Sequence, residues 1–223
     1  MRRHMFRWSP ARIIAGAFGS ISFIGSILLY LPWGHMPGQS ITYVDALYTA
    51  VSALCVTGLS IVDTAAVFNP FGQAILAVLI QVGGLGVSTM GAGVLLMLGR
   101  KVGIRQRNLI HDTMNLDSYS GVVRFLRTLF ATTVFIEIIG AFLGYFVFRR
   151  DYEMMESIGL SIFHSISSFN NAGLTILTKE RSMEMYAEDP FMLILTTALV
   201  FVGGLGFIVI RECWVNRFRW RKL

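Results

Sequence analysis

Cys55-Val56-Thr57-Gly58-Leu59-Ser60 lies inside a charge-free stretch, Ala46 to Val62, and how that stretch is threaded decides the fold. A second such segment, Asn170-Asn171-Ala172-Gly173-Leu174-Thr175, lies in the charge-free stretch Ser157 to Thr178. Around them stand four longer apolar runs. Ala11 to Leu31 carries only Arg12, Thr128 to Phe148 carries only Glu137, and Gly72 to Leu98 and Pro190 to Ile210 carry no charge. Each reaches the roughly 20 residues that a helix needs to cross hydrocarbon. The first run ends in Tyr30-Leu31-Pro32-Trp33 with no small-residue cleavage site, so it reads as a span and not as a removable signal peptide. If the two shorter stretches also cross, the chain has six spans. If they dip in and return, it has four.

Composition and charge separate these cases. The chain has 223 residues, 54% of them hydrophobic and 14% charged, with a mean hydropathy of +0.62. That leaves too little charge to cover a soluble domain of this length, and an integral membrane protein follows. With four spans and a cytoplasmic N-terminus (Arg2, Arg3, Arg7, Arg12), the middle loop (Arg100, Lys101, Arg105, Arg107, Arg124, Arg127) and the tail (Arg211, Arg217, Arg219, Arg221, Lys222) are cytoplasmic too. Fifteen of the 19 basic residues then lie inside. With six spans the middle loop turns outward and the division is 11 to 8. The positive-inside rule selects four spans with both termini cytoplasmic, and both ambiguous stretches become re-entrant. The net charge of +6 belongs to these flanking anchors and not to a nucleic-acid surface.

The chain repeats itself. Pro70-Phe71 returns as Pro190-Phe191, and Val82-Gly83-Gly84-Leu85-Gly86 as Val202-Gly203-Gly204-Leu205-Gly206, both shifted by 120; Gly58-Leu59-Ser60-Ile61 returns as Gly173-Leu174-Thr175-Ile176, shifted by 115. The order is the same in each copy, and both begin and end in the cytoplasm. The two repeats are therefore parallel, about an axis along the membrane normal that suits a central pore. The expected fold is all-α and integral to the membrane, with two parallel M1-pore loop-M2 repeats: four transmembrane helices plus two re-entrant pore helices. Its parts are a cytoplasmic N-terminus (1–10), a first repeat (11–98), a basic loop (99–127), a second repeat (128–210) and a basic tail (211–223).

Irregular backbone at membrane depth persists only where protein covers it or water bathes it. Each re-entrant segment opens with a helical run, Tyr43 to Leu54 and Glu156 to Phe169, and then turns polar. A half-helix descending from outside aims its carbonyl end inward, where the partial negative charge favours a dehydrated cation. A returning extended strand can present carbonyls that replace the ion's water shell. Gly58 and Gly173 suit that strand, and their occurrence at matched positions favours it over two ordinary turn glycines. The candidate filter is Val56, Thr57, Gly58 and Leu59 with Asn171, Ala172, Gly173 and Leu174, binding K+ by backbone carbonyls. The side chains of Asn170 and Asn171 are expected to brace the loop.

Other residues carry weaker signals. The Gly-Gly-Leu-Gly glycines serve close helix packing, the lining of a cavity below the filter, or both. Glu137, alone in its span, calls for a backbone or polar partner, because no basic residue lies at its depth; an ion-coupling role stays open. His164 is expected to be packed in the second pore helix. Cys55 and Cys213 fall in different parts of the fold, so no disulfide is expected. No metalloprotease, Walker-type or nucleophile-elbow motif occurs, so the chain is not read as an enzyme.

At these residues the chain resembles the Trk/Ktr/HKT superfamily of potassium transporters, and among them the Ktr membrane subunits. The marks are Thr49 to Ser60, Gln81 to Gly86, Ser168 to Leu174 and Arg105-Gln106-Arg107, and the likeness runs from about residue 11 to the end. The resemblance implies potassium uptake, with Gly58 and Gly173 as the filter glycines. It implies no cofactor, only K+ as cargo with Na+ coupling left open, and a KtrA-like cytoplasmic nucleotide-binding ring as regulatory partner. It also implies four repeats around one pore where this chain has two. Either the chain is an incomplete product, the favoured expectation, or it pairs as a homodimer or with a missing half. A non-conducting accessory or assembly subunit is the alternative function.

Overall fold

The computed structural model describes residues 10–86, 89–90, 122–178, 183–206 and 209. Among them the protein is helical throughout, and the one strand-like pairing is a bridge between His35 and Phe68. The helices are α1 (Pro10–Tyr30), α2 (Tyr43–Leu54), the single turn α3 (Thr64–Val67), α4 (Pro70–Leu85), α5 (Val122–Phe148), α6 (Met154–Phe169) and α7 (Pro190–Gly204).

Local chemistry sets the ends of these helices. α1 stops before Pro32, which cannot donate to an ongoing helix. α2 starts in a reciprocal capping box: Thr42 accepts from the Asp45 N–H, and the Asp45 carboxylate accepts from the Thr42 N–H. α4 and α7 each begin with proline behind a side-chain cap, Asn69 in one and Asp189 in the other. α2 has the bounds expected for the first pore helix. α6 starts at Met154 instead of Glu156, and α5 at Val122 instead of Thr128, inside the segment read as basic loop.

The runs Gly72 to Leu98 and Pro190 to Ile210 are not matched by described helices of that length. α4 ends at Leu85 and α7 at Gly204, with Gly86 and Gly206 just beyond at φ of 81° and 80°. A residue in that region leaves the right-handed helix, and glycine does so without strain.

α1, α2 and α4 pack on one another, as do α5, α6 and α7, and contact between α4 and α6 joins the two groups. One apolar core runs through both, with Leu29, Ala50, Phe68 and Leu76 on one side and Phe148, Phe163, Leu195 and Leu199 on the other. α1 and α5 contain the two described segments long and apolar enough to cross a bilayer, yet only 17% and 28% of those windows are buried. Phe23 and Ile24 on α1, and Phe135, Ile138 and Phe142 on α5, all face outward. Apolar helices with bare apolar faces want lipid, not water. Trp33, Tyr30 and Tyr43 gather where α1 ends, the amphipathic rings expected at a membrane interface.

Asp189 ties the two loops at one end of α5 and α7. Its carboxylate accepts the Met192 and Phe191 N–H groups at 3.0 and 2.9 Å and the Arg150 guanidinium at 2.6 Å. The Met192 N–H, with Arg150 and Phe191 adding to it, holds this carboxyl below its ordinary range. A depressed carboxylate stabilises the fold above its unfolded-state pKa, and that contribution is lost as pH falls through the folded one. Asp189→Ala should therefore melt below the wild type at pH 7, and the gap should narrow as pH falls below about 4, the ordinary carboxylate value. Asp189→Asn, which keeps the cap and loses the ion pair, should fall between them.

The segments 1–9 and 211–223 and nearly all of the basic loop lie outside the described residues, and so do the expectations placed on Arg100 to Arg107, the tail cations and Cys213. Cys55 is a free, exposed thiol.

Candidate ion-selectivity site

The last turns of α2 and α6 are superimposable as hydrogen-bond lists. Cys55 N–H bonds Val51 O at 2.8 Å, as Asn170 N–H bonds Ile166 O at 3.1 Å. Val56 N–H reaches Ala53 O at 3.3 Å, as Asn171 N–H reaches Ser168 O at 3.1 Å. Thr57 N–H reaches Ser52 O at 3.0 Å, as Ala172 N–H reaches Ser167 O at 2.8 Å. Every partner is displaced by 115 residues, the offset of Gly58 and Gly173.

The backbone angles agree. Val56 and Asn171 have φ of 56° and 59°, and Gly58 and Gly173 have 74° and 70°. Thr57 and Ala172, between them, are not in the positive-φ region. Alternating the sign of φ turns successive peptide planes alike, so polar groups of one kind can line one side of the strand. Asparagine tolerates the left-handed region; a β-branched valine does so only under strain of about 1–3 kcal/mol. Val56 is thus held there by its surroundings. Nothing in its residue type announces this, and only its match to Asn171 could have found it.

The two segments meet. A β-carbon on Gly58 would collide with the carbonyl oxygen of Ala172 and sit 3.4 Å from the Gly173 α-carbon, whereas one on Gly173 would have nothing nearer than 3.9 Å. A second tie lies further out, where the Thr64 hydroxyl donates to Thr175 O. The outer faces stay open: Thr57, Leu59, Asn171 and Gly173 are exposed, while Ala172 and Leu174 are buried.

Two serines, not singled out from sequence, close each strand onto its helix. Ser52 Oγ donates to Leu59 O at 2.5 Å and Ser167 Oγ to Leu174 O at 2.6 Å. Ser52 also lies 2.9 Å from Thr57 Oγ1, a contact that Ala172 cannot reproduce. The carbonyls of Leu59 and Leu174, expected to face an ion, each accept one of these hydroxyls. The signal was present, since Ser52 and Ser167 share the offset of 115. Losing a hydroxyl that satisfies a buried carbonyl costs about 1–3 kcal/mol. Leu174 is 5% exposed and Leu59 60%, so water can replace the serine at Leu59 only. Ser167→Ala should therefore lower the melting temperature clearly more than Ser52→Ala; equal shifts would contradict this account.

The Gly-Gly-Leu-Gly motif serves the same ends. A β-carbon on Gly83 would collide with Leu54 O, and one on Gly203 with Phe169 O, so each glycine lets its helix lie against the final carbonyl of α2 or α6. Glu137 has the polar partners expected of it: its carboxyl lies 3.2 Å from Asn170 Nδ2, and its main-chain oxygen accepts from Ser165 Oγ at 2.8 Å. His164 is packed in α6, edge-on to Phe148 and 3.0 Å from Thr196 Oγ1. Asn170 braces the loop by donating to Ile166 O, and Asn171 Nδ2 lies 3.4 Å from Phe169 O.

Two helix ends that run into glycine-bearing loop segments lying in contact are a means of handling cations, and the chain belongs to the TrkH family of cation transport proteins, which matches residues 10–220. The family is one of transporters, not enzymes. The chain is 35% identical to Ktr system potassium uptake protein B of Bacillus subtilis over 211 residues, 95% of this chain and 46% of that protein. It is 35% identical to the potassium/sodium uptake protein NtpJ of Enterococcus hirae, covering 92% and 45%. It is 36% identical to Ktr system potassium uptake protein B of Vibrio alginolyticus, covering 99% and 47%. The chain spans about half the length of the curated relatives it matches.

Proposed function

We propose that this chain is an ion-translocating part of a Ktr-type potassium uptake system in the plasma membrane. In this reading it has two parallel M1-pore loop-M2 repeats, 11–98 and 128–210. α1, α4, α5 and α7 are the four spans, α2 and α6 the re-entrant pore helices, and both termini are cytoplasmic. Carbonyls of Val56, Thr57 and Gly58 and of Asn171, Ala172 and Gly173 coordinate K+ in place of water, and Leu59 and Leu174 close the ladders. α2 and α6 add the negative ends of their dipoles.

The observation that carries the reading is the residue-for-residue duplication of pore-helix end, left-handed pair and serine clamp, brought into contact at Gly58 and Gly173. Two strands enclose only part of an ion, and their exposed faces are where two further repeats, from a second copy or a completing half, would close the site. K+ is cargo, with no resident cofactor, and the basic loop and tail are the surfaces offered to a cytoplasmic nucleotide-binding ring.

The test is growth of potassium-transport-deficient cells at low potassium, expressing residues 1–223 or the Gly58→Ser, Gly173→Ser double variant. Growth with the parent chain alone supports conduction through these filters. Membrane-inserted parent protein without growth would leave the chain a non-conducting part of a larger assembly.

A further inference from the structure

Behind the second candidate filter lies a polar joint that, among the described residues, the first does not have. Asn170 ends α6 and directly precedes Asn171. Its Nδ2 lies 3.0 Å from Gln81 Oε1 on α4, 3.2 Å from Glu137 Oε1 on α5 and 2.9 Å from Ile166 O on its own helix. One amide group thus faces acceptors from three helices, one of them in the other half of the chain. Two further features fix it. Ser165 Oγ holds the main chain of Glu137, and Gly84 leaves vacant the volume that the Asn170 amide fills, since a β-carbon there would overlap it. Asn170 is 8% exposed, and its Oδ1 is buried with no donor among the described residues. The side chain is therefore held through its nitrogen alone.

Among the described residues none of this is duplicated. At the offset of 115 the residue matching Asn170 is Cys55, which is exposed, and at the offset of 120 the residue matching Gln81 is Phe201, which is 65% exposed. We propose that Glu137 and Gln81 are positioning residues which, through Asn170, fix the start of the second filter from behind, so that cation discrimination depends on side chains that never touch the ion. This rests on the reading of Asn171 to Gly173 as filter. A buried amide with converging acceptors is costly to disturb and has one geometry, so it holds the 170–171 peptide against both halves of the chain. The first filter has its serine clamp and the Ser52–Thr57 hydroxyl contact, both made within its own half of the chain, in place of this three-helix joint.

The test is thermal unfolding of the purified full chain in detergent, in KCl and in NaCl of equal concentration. A site preferring K+ raises the midpoint more in KCl, by mass action. The parent chain should show that difference, and Gly58→Ser with Gly173→Ser should abolish it. Glu137→Leu and Gln81→Met should each cut it at least twofold, while Glu137→Gln, which keeps an acceptor, should retain it. If Glu137→Leu does not fold, the near-isosteric Gln81→Met decides. Folded Leu and Met variants that keep the full difference would overturn the joint and leave the filter reading standing. A parent chain that does not distinguish the two salts would overturn both.

Discussion

Gly58→Ala should abolish potassium-dependent stabilisation of the protein, whereas Gly173→Ala should only weaken it. Both glycines sit at φ above 70° or equal to it, and a side chain in the left-handed region costs about 1–2 kcal/mol at either place. Only Gly58 has a main-chain oxygen, that of Ala172, where the new methyl group must go; Gly173 has open space to 3.9 Å. That collision adds about 1–3 kcal/mol of overpacking unless the strands separate, and separation dismantles the ion site. Because about 1.4 kcal/mol is a factor of ten in an equilibrium, Gly173→Ala corresponds to roughly tenfold weaker ion binding and Gly58→Ala to a hundredfold or more. Melting midpoints in KCl titrations would show it. Indistinguishable titrations of the two variants would mean that the approach of Ala172 to Gly58 is not a feature of the ion-binding state.

This inequality is invisible in the sequence, where the two glycines occupy equivalent places. What could be read there were properties that repeat, the apolar runs and the paired motifs, together with a helix whose bounds, Tyr43 and Leu54, the structure reproduces. Hydropathy could not locate the ends of α4 and α7, because Gly83 to Gly86 and Gly203 to Gly206 look as apolar as the leucines around them. Backbone angle, not polarity, stops the helices there. Val56 was read as a candidate filter residue but not as a strained one, since residue type argues against its φ. The expectation that Leu59 and Leu174 would present carbonyls to an ion followed from strand geometry alone; the serine seven residues earlier, which donates to each of these carbonyls, was not part of it. The joint at Asn170 escaped detection because Gln81 and Glu137 are 89 and 33 residues away from it and the pattern does not recur.

The remaining large effect concerns the glycines packed against the last turns of α2 and α6. Gly203→Ala should destabilise the protein strongly, and its neighbour Gly204→Ala hardly at all. At Gly203 the added carbon would collide with Phe169 O, with Phe169 C at 2.8 Å; at Gly204 its nearest neighbour is the flexible end of Asn171, 3.9 Å away. A carbonyl in the last turn of a helix cannot rotate aside as a side chain does, so α7 must back away from α6. Overpacking of this kind costs about 1–3 kcal/mol, and main-chain opposition places Gly203→Ala at the top of that range. Gly204→Ala instead exchanges a poor helix former for the best one and should be neutral or slightly stabilising, by no more than about 1 kcal/mol. The first half of the chain should behave differently. Gly83→Ala meets Leu54 O and Gly84→Ala meets the amide of Asn170, so both should destabilise. Four alanine variants therefore yield three damaging results and one harmless result, read as melting temperatures in detergent. If Gly204→Ala were as damaging as Gly203→Ala, general crowding around the motif would explain it better than the seat that Gly203 provides for the pore-helix carbonyl. If instead Gly204 alone tolerates the change, the motif is what brings α4 against the end of α2 and α7 against the end of α6, and the Asn170 amide is what makes the two copies unequal.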